Sequence, residues 1–268
     1  MSNKVIFLSH IHEEKELAVL LKEAIQTEFS GFIDVFVSSD GESIPAGSNF
    51  LKRIEDGLVN CIGAIYLLSP YSINRNWINF ELGAVWVRNA ISQNNGGAHI
   101  PALPFCHSGL MPATLPQPIC NLNGITASKS SELEFAFKSL QTAVGGKGKL
   151  RTDFDALASN IIIFVNKYTI QDSLKAIFDL VLITKEFSSN LLSEAANNEV
   201  VHLRLGDVEN SKADIIVDIV RNKLCEIISC ELKNPKIVGT TNRTFTAIDV
   251  ELHINSSIIK EYIPKIFP

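Results

Sequence analysis

Cys61-Ile62-Gly63-Ala64-Ile65-Tyr66-Leu67-Leu68-Ser69-Pro70-Tyr71-Ser72-Ile73-Asn74-Arg75-Asn76-Trp77-Ile78-Asn79-Phe80-Glu81-Leu82-Gly83-Ala84-Val85 changes its period halfway through. The run from Cys61 to Leu68 is apolar and continuous, as a strand buried on both faces requires. Ser69-Pro70 breaks it, because proline has no amide hydrogen and a fixed φ. From Trp77 to Ala90 the chain reads as a helix. A buried strand leading into a helix is the unit from which parallel sheets are made.

The same unit recurs on both sides. Lys4 to Ser9 reads as a strand ending at Ser-His. Leu17, Leu20, Leu21, Ala24, Ile25 and Phe29 then mark a helix, with Glu13, Glu14 and Glu16 at the end where its dipole favours anions. Ile33 to Val37 is a second strand followed by the turn residues Ser38-Ser39-Asp40-Gly41. A helix carrying Phe50, Ile54 and Leu58 precedes Cys61. Further on, strands are expected at His99 to Phe105 and around Ile119 to Ile125, and a helix from Ser131 to Val144. Alternation of this kind predicts an α/β fold, a parallel sheet covered on both faces. Ligands of such sheets bind beyond the carboxyl ends of the strands, which points to the loops after Leu8, Val37 and Leu68.

Gly145-Gly146-Lys147-Gly148-Lys149 reads as a linker. It suggests a first domain over residues 1–146 and a second over 147–268. In the second half Phe154 to Lys167 and Ser173 to Phe187 look helical, and Val201, Leu203 and Leu205 alternate as in a strand. Ile215, Ile216, Ile219, Val220, Leu224, Ile227 and Ile228 form a helical stripe. Ile248, Val250, Leu252 and Ile254 alternate with Asp249, Glu251 and His253, the clearest half-exposed strand. This half reads as a smaller α+β domain.

Composition excludes several functions. The 268 residues are 46% hydrophobic and 20% charged, enough apolar content for a packed core, which excludes disorder. The net charge of −5 supplies no basic excess for general nucleic-acid binding. Cys61, Cys106, Cys120, Cys225 and Cys230 show no C-x-x-C spacing, favouring reduced thiols over a disulfide framework or zinc site. No apolar run, neither Cys61 to Leu68 nor Ile161 to Val165, approaches the length of a membrane helix. The expectation is a cytoplasmic protein without membrane contact. No G-x-G-x-x-G and no P-loop lysine appear.

Glu81 is the residue that stands out. Trp77 and Ile78 lie one helical turn before it and Ala84 and Val85 one turn after, with no basic residue at ion-pair spacing. A carboxylate on an apolar face is either paired across the tertiary structure or retained for function. Bland readings stand beside the others: Trp77 and Phe7 as core, Gly41 and Gly47 as turn formers, His10 and His12 as solvated loop residues lacking a third metal ligand. His99, His107, His202 and His253 form no pattern, and no metal site is expected.

Taken together, these motifs resemble the TIR domain family (toll/interleukin-1 receptor type), of the bacterial sort. Phe7-Leu8-Ser9-His10 is similar to its first-strand motif, and Asp40-Gly41-Glu42-Ser43-Ile44-Pro45-Ala46-Gly47 to the loop after its second strand. Leu68-Ser69-Pro70-Tyr71-Ser72 with Trp77-x-x-x-Glu81 is similar to the third strand and the helix of the catalytic glutamate. The resemblance covers about residues 3–144. It implies a flavodoxin-like, three-layer fold with a five-stranded parallel sheet. It also implies an NAD⁺ glycohydrolase or cyclase, with NAD⁺ as substrate and no cofactor. Breaking the nicotinamide–ribose bond expels a neutral group and leaves an oxocarbenium-like ribose, which one carboxylate could stabilise. Glu81 would be catalytic, supported by Trp77. Phe7, Ser9, His10, Asp40 and Gly41 would line the nucleotide cleft, and Ser72 could donate a hydrogen bond there.

The family also implies homo-oligomers built through TIR–TIR contacts, an antiphage effector activated by assembly, and an activating ligand or protein at residues 147–268. A non-enzymatic TIR scaffold is the alternative. A nucleoside deoxyribosyltransferase-like enzyme, with a covalent glycosyl intermediate, is a third reading.

Overall fold

A computed structural model describes residues 4–38, 49–224, 227–239 and 244–267. By internal contacts the chain divides into two compact units, residues 1–165 and 166–268.

In the first unit, β1 (Lys4–Ser9), β2 (Ile33–Val37), β3 (Cys61–Leu68), β4 (Ala102–Cys106) and β5 (Ile125–Thr126) form a parallel sheet of order β2-β1-β3-β4-β5. The intervening helices are α1 (Lys15–Glu28), α2 (Phe50–Asn60), α3 (Asn76–Asn94) and α4 (Ser130–Val144). This is the α/β architecture that the alternating pattern predicts, with the flavodoxin-like strand order that the family resemblance implies. Its chain order reverses between β1 and β3, so the strand ends at Ser9 and Leu68 flank the switch point.

Local chemistry explains the elements. The β1 and β3 side chains are buried on both faces almost throughout, which is why the strands read as unbroken apolar runs. Asn49 caps α2, its side chain accepting from the Lys52 N–H at 3.1 Å. Gly145, in the left-handed region at φ 76°, closes α4. One face of the sheet holds Phe7, Phe36, Tyr66, Ile54, Ile78 and Leu82. Phe7 stacks on Phe36 at 5.5 Å between ring centroids, and Gly57 of α2 lies against both rings.

Two strand expectations shift. Pro101 stands at the start of the predicted fourth strand, and β4 begins after it. The fifth strand is only two residues long, because 119–121 form a single tight helical turn. Residues after the glycine run remain with the first unit. Leu150, Leu157, Ile161 and Phe164 are buried, and the Phe154 ring meets Phe137 edge-on at 5.2 Å. The division by contacts therefore falls at 165/166 rather than at the glycines.

It falls inside α5 (Phe154–Leu180), one helix where two were expected. The residues between the two predicted segments, Tyr168 to Asp172, include neither glycine nor proline, so propensity costs only tenths of a kcal/mol per residue. The chain continues with α6 (Lys185–Asn197), β6 (Val200–Glu209), α7 (Asn210–Ile219), β7 (Ile228–Gly239), β8 (Thr244–Asn255) and α8 (Ser256–Ile266).

The second unit is α+β, an antiparallel sheet of order β6-β8-β7. Val201, Leu203, Leu205, Val250, Leu252 and Ile254 point into a core shared with Leu174, Leu191, Ile216 and Ile259 of its helices. The predicted helical stripe ends early: Ile228 is strand, not helix. The sequence reading missed β7, since Asn234-Pro235 looks like a break. Here it forms a bulge on an edge strand, with Asn234 at φ 53°, where proline's missing donor is tolerated. Among the described residues no helix is long and apolar enough to cross a membrane.

Candidate active site

Sidedness along β1 sets the site. Phe7 and Ser9 share a face, so Phe7 lies in the core one layer below Ser9. Phe7 is wholly buried and turned toward Phe36, so it supports the strand end from beneath. Ser9, also buried, reaches α3: its Oγ donates to Glu81 Oε2 at 2.5 Å. Tyr66 of β3 secures the same helix turn by donating its hydroxyl to the Glu81 carbonyl at 3.1 Å.

Glu81 has no solvent exposure, and its Oε1 has no hydrogen-bond partner. Burial raises its pKa from 4.5 to about 7, against the opposing pull of Ser9 and Trp77. Trp77, one turn earlier, is 41% exposed and stacks on Phe80 at 5.3 Å. It is a rim residue, not the core residue that its type suggests. Half-protonated near neutrality and holding one free acceptor, Glu81 is chemically unlike a structural carboxylate with every lone pair satisfied.

A second buried carboxylate, missed in the sequence, lies at the same end of the sheet. Glu14 has no exposure. Its Oε1 accepts from Ser69 Oγ at 2.8 Å and lies 3.2 Å from His107 Nε2; its Oε2 accepts from the Ile11 N–H at 3.2 Å. The His107 contact is a close polar approach rather than an aligned hydrogen bond. Glu14 thus ties together the segments following β1, β3 and β4. Its place in a run of glutamates made it look like a helix-dipole residue, and His107 had no periodic context. Only the convergence of three strand ends identifies them.

Ser72 belongs to this network. Its Oγ accepts from the Ser69 N–H at 2.7 Å and donates to the Leu67 carbonyl at 3.3 Å. Ser69 Oγ in turn accepts from the Tyr71 and Ser72 N–H groups. The two serines thus form the turn between β3 and α3, and the Ser72 hydroxyl is engaged by backbone. His10 is buried at the end of β1. Asp40 and Gly41 lie outside the described residues. The structure therefore brings Ser9, His10 and Glu81 to one strand end with Trp77 at its rim, while Phe7 and Ser72 are held by core and turn. Among the described residues, no trio of histidine, cysteine and carboxylate ligands converges at this end of the sheet.

Residues 6–135 match a family model described as TIR domain. No curated protein matches the chain.

Proposed function

From the match of residues 6–135 to a TIR domain model, we propose that this chain is a TIR-domain protein that cleaves the nicotinamide–ribose bond of NAD⁺, with Glu81 as the catalytic carboxylate. The observation that carries the reading is Glu81 itself: buried beside the sheet's switch point, with a pKa of about 7 and an unpaired oxygen. Departure of neutral nicotinamide leaves positive charge on C1′ and the ring oxygen of the ribose. An ionised Glu81 stabilises that charge in a low-dielectric site, and its free oxygen can accept from a ribose hydroxyl. Ser9 holds the other oxygen and fixes the carboxylate's orientation. His10 and Trp77 border the cleft. The cation of bound NAD⁺ itself favours ionisation of Glu81.

The closed state of Glu81 supports activation by assembly. A carboxylate sealed from solvent meets a ribose only after the surrounding loops shift. Contacts between TIR copies, promoted by a ligand or protein at the second unit, supply that shift, as an effector of antiphage defence requires. Fluorescence from etheno-NAD⁺ with the full-length protein tests the proposal. Release should rise more steeply than linearly with protein concentration, and Glu81→Gln should lower it at least ~10³-fold. Equal release by both proteins would remove Glu81 from the mechanism. Product chromatography separates ADP-ribose from a cyclised product.

A specific observation favours a second reading, a TIR scaffold without catalysis. The outer face of α3 exposes Phe80, Val87 and Ile91, each more than half accessible, beside Trp77. Apolar residues clustered in this way mark an interaction surface. Self-association that persists without any turnover of NAD⁺ would establish the scaffold.

A further inference from the structure

The solvent-facing side of the β6-β8-β7 sheet holds side chains that the Glu81 chemistry leaves unused. Antiparallel register sets His202 opposite His253 and Glu231 opposite Glu251. The two-residue strand period puts Glu251 and His253 on the same face of β8. One ligand atom each from Glu231, Glu251 and His253 lies within 4.8 Å of the others. The His202 and His253 rings are 4.5 Å apart.

Carboxylates directly opposite on neighbouring strands repel, so this pair calls for a cation. Lys233 currently supplies one, its Nζ 2.5 Å from Glu251 Oε2 and 3.0 Å from Glu231 Oε2. An ammonium ion can at most donate a hydrogen bond to a neutral imidazole lone pair, whereas a metal ion can coordinate it directly. Lys233 is also half-exposed on a flexible stem, free to swing into solvent. A separate feature gives access: His202 and His253 form part of the wall of an open hollow of about 630 Å³, with Ser229 and Asn255. An ion can therefore enter from the histidine side.

We propose that Glu231, Glu251 and His253, completed by His202, bind one divalent transition-metal ion of the zinc class, and that Lys233 occupies the same place when the metal is absent. Mixed imidazole and carboxylate donors suit zinc better than calcium or magnesium, which prefer all-oxygen shells. Tetrahedral bonds of ~2.0–2.2 Å hold neighbouring ligands roughly 3.4 Å apart. Rotamer changes in Glu231, Glu251 and His253 close that trio to this spacing, and His202, beside His253 alone, reaches the fourth position by a larger turn of its ring. The ion would cross-link β6, β8 and β7.

The test is calorimetric titration of the full-length, chelator-treated protein with zinc chloride, together with NMR of the histidine rings. Expected are one site with a dissociation constant on the order of micromolar and shifted His202 and His253 resonances. Binding should weaken at least ~10-fold in His253→Ala and Glu251→Gln and tighten in Lys233→Met, which removes the competing cation. Circular dichroism checks that each variant folds, and Lys233→Met tests the site by gain rather than loss. The proposal is overturned by any of four results: no zinc binding below ~1 mM, unchanged affinity in His253→Ala, weaker binding in Lys233→Met, or a preference for calcium.

Discussion

At the residue scale, Glu81 links stability and chemistry with opposite signs. Its folded pKa of about 7 lies above the ordinary 4.5, so the folded chain holds a proton that the unfolded chain releases. The stability gained from that proton is full below pH ~4.5 and is lost as pH rises through about 7. At roughly 1.4 kcal/mol per pH unit, ionising Glu81 costs the domain about 3 kcal/mol at pH 8. Glu81→Gln should therefore raise the domain's stability at pH 8 by about 1–3 kcal/mol while removing activity, and should make little difference at pH 4.5. Both tryptophans of the chain, Trp77 and Trp86, lie on α3, so intrinsic fluorescence during urea unfolding reads this domain alone. Ser9 supplies the second handle. Its hydrogen bond favours the ionised carboxylate, so Ser9→Ala should move the acidic limb of the pH–rate profile upward from about 7. An unmoved limb would show that Glu81 does not control that ionisation.

At the element scale, α2 and α3 are packed differently, and the difference is testable. Gly57 lets α2 approach the Phe7–Phe36 stack, where an added Cβ would meet ring atoms at 3.1–3.3 Å. The rings are locked against each other, so neither can retreat. Gly57→Ala gains up to ~1 kcal/mol of helix propensity but overpacks the core by ~1–3 kcal/mol. The expected net is a loss of about 1 kcal/mol, read as a lower urea midpoint with an unchanged slope. Helix α3 instead carries buried Ile78, Glu81, Leu82 and Val85 on one side and exposed Phe80, Val87 and Ile91 on the other. That it is a helix is legible from the sequence, but which side faces inward is not, because apolar residues surround it.

At the scale of the whole molecule, the two units should respond to pH in opposite directions. In the second unit Asp249 is buried between bulges in β6 and β7. Arg204, Asn234 and the Asp207 N–H hold its carboxyl well below the ordinary carboxylate range. A lowered folded pKa gives stability that is present above pH ~4 and is lost as pH falls below it. Hydrogen-exchange protection of the β8 amides, corrected for intrinsic rates, should therefore fall between pH 4 and 2.5, and Asp249→Asn should flatten that fall. The first unit has its Glu81 loss between pH 4.5 and 7, on the other side of that range. A single transition that follows one pH dependence in both readouts would contradict this.

The sequence by itself determined the parallel α/β unit, because buried strands and amphipathic helices leave different periods in the chain. It also determined that Glu81 is unusual, since a carboxylate among apolar neighbours shows without coordinates. It could not reveal β7, whose Asn234-Pro235 reads as a stop until the bulge accommodates it. Nor could it reveal the continuity of α5. Only the tertiary structure decided that Glu14 and His107 meet, that Ser9 holds Glu81, and that His202, Glu231, Glu251 and His253 share a face. Those side chains come from separate strands and helices, and residues brought together by chain crossings and strand register leave no local pattern to read.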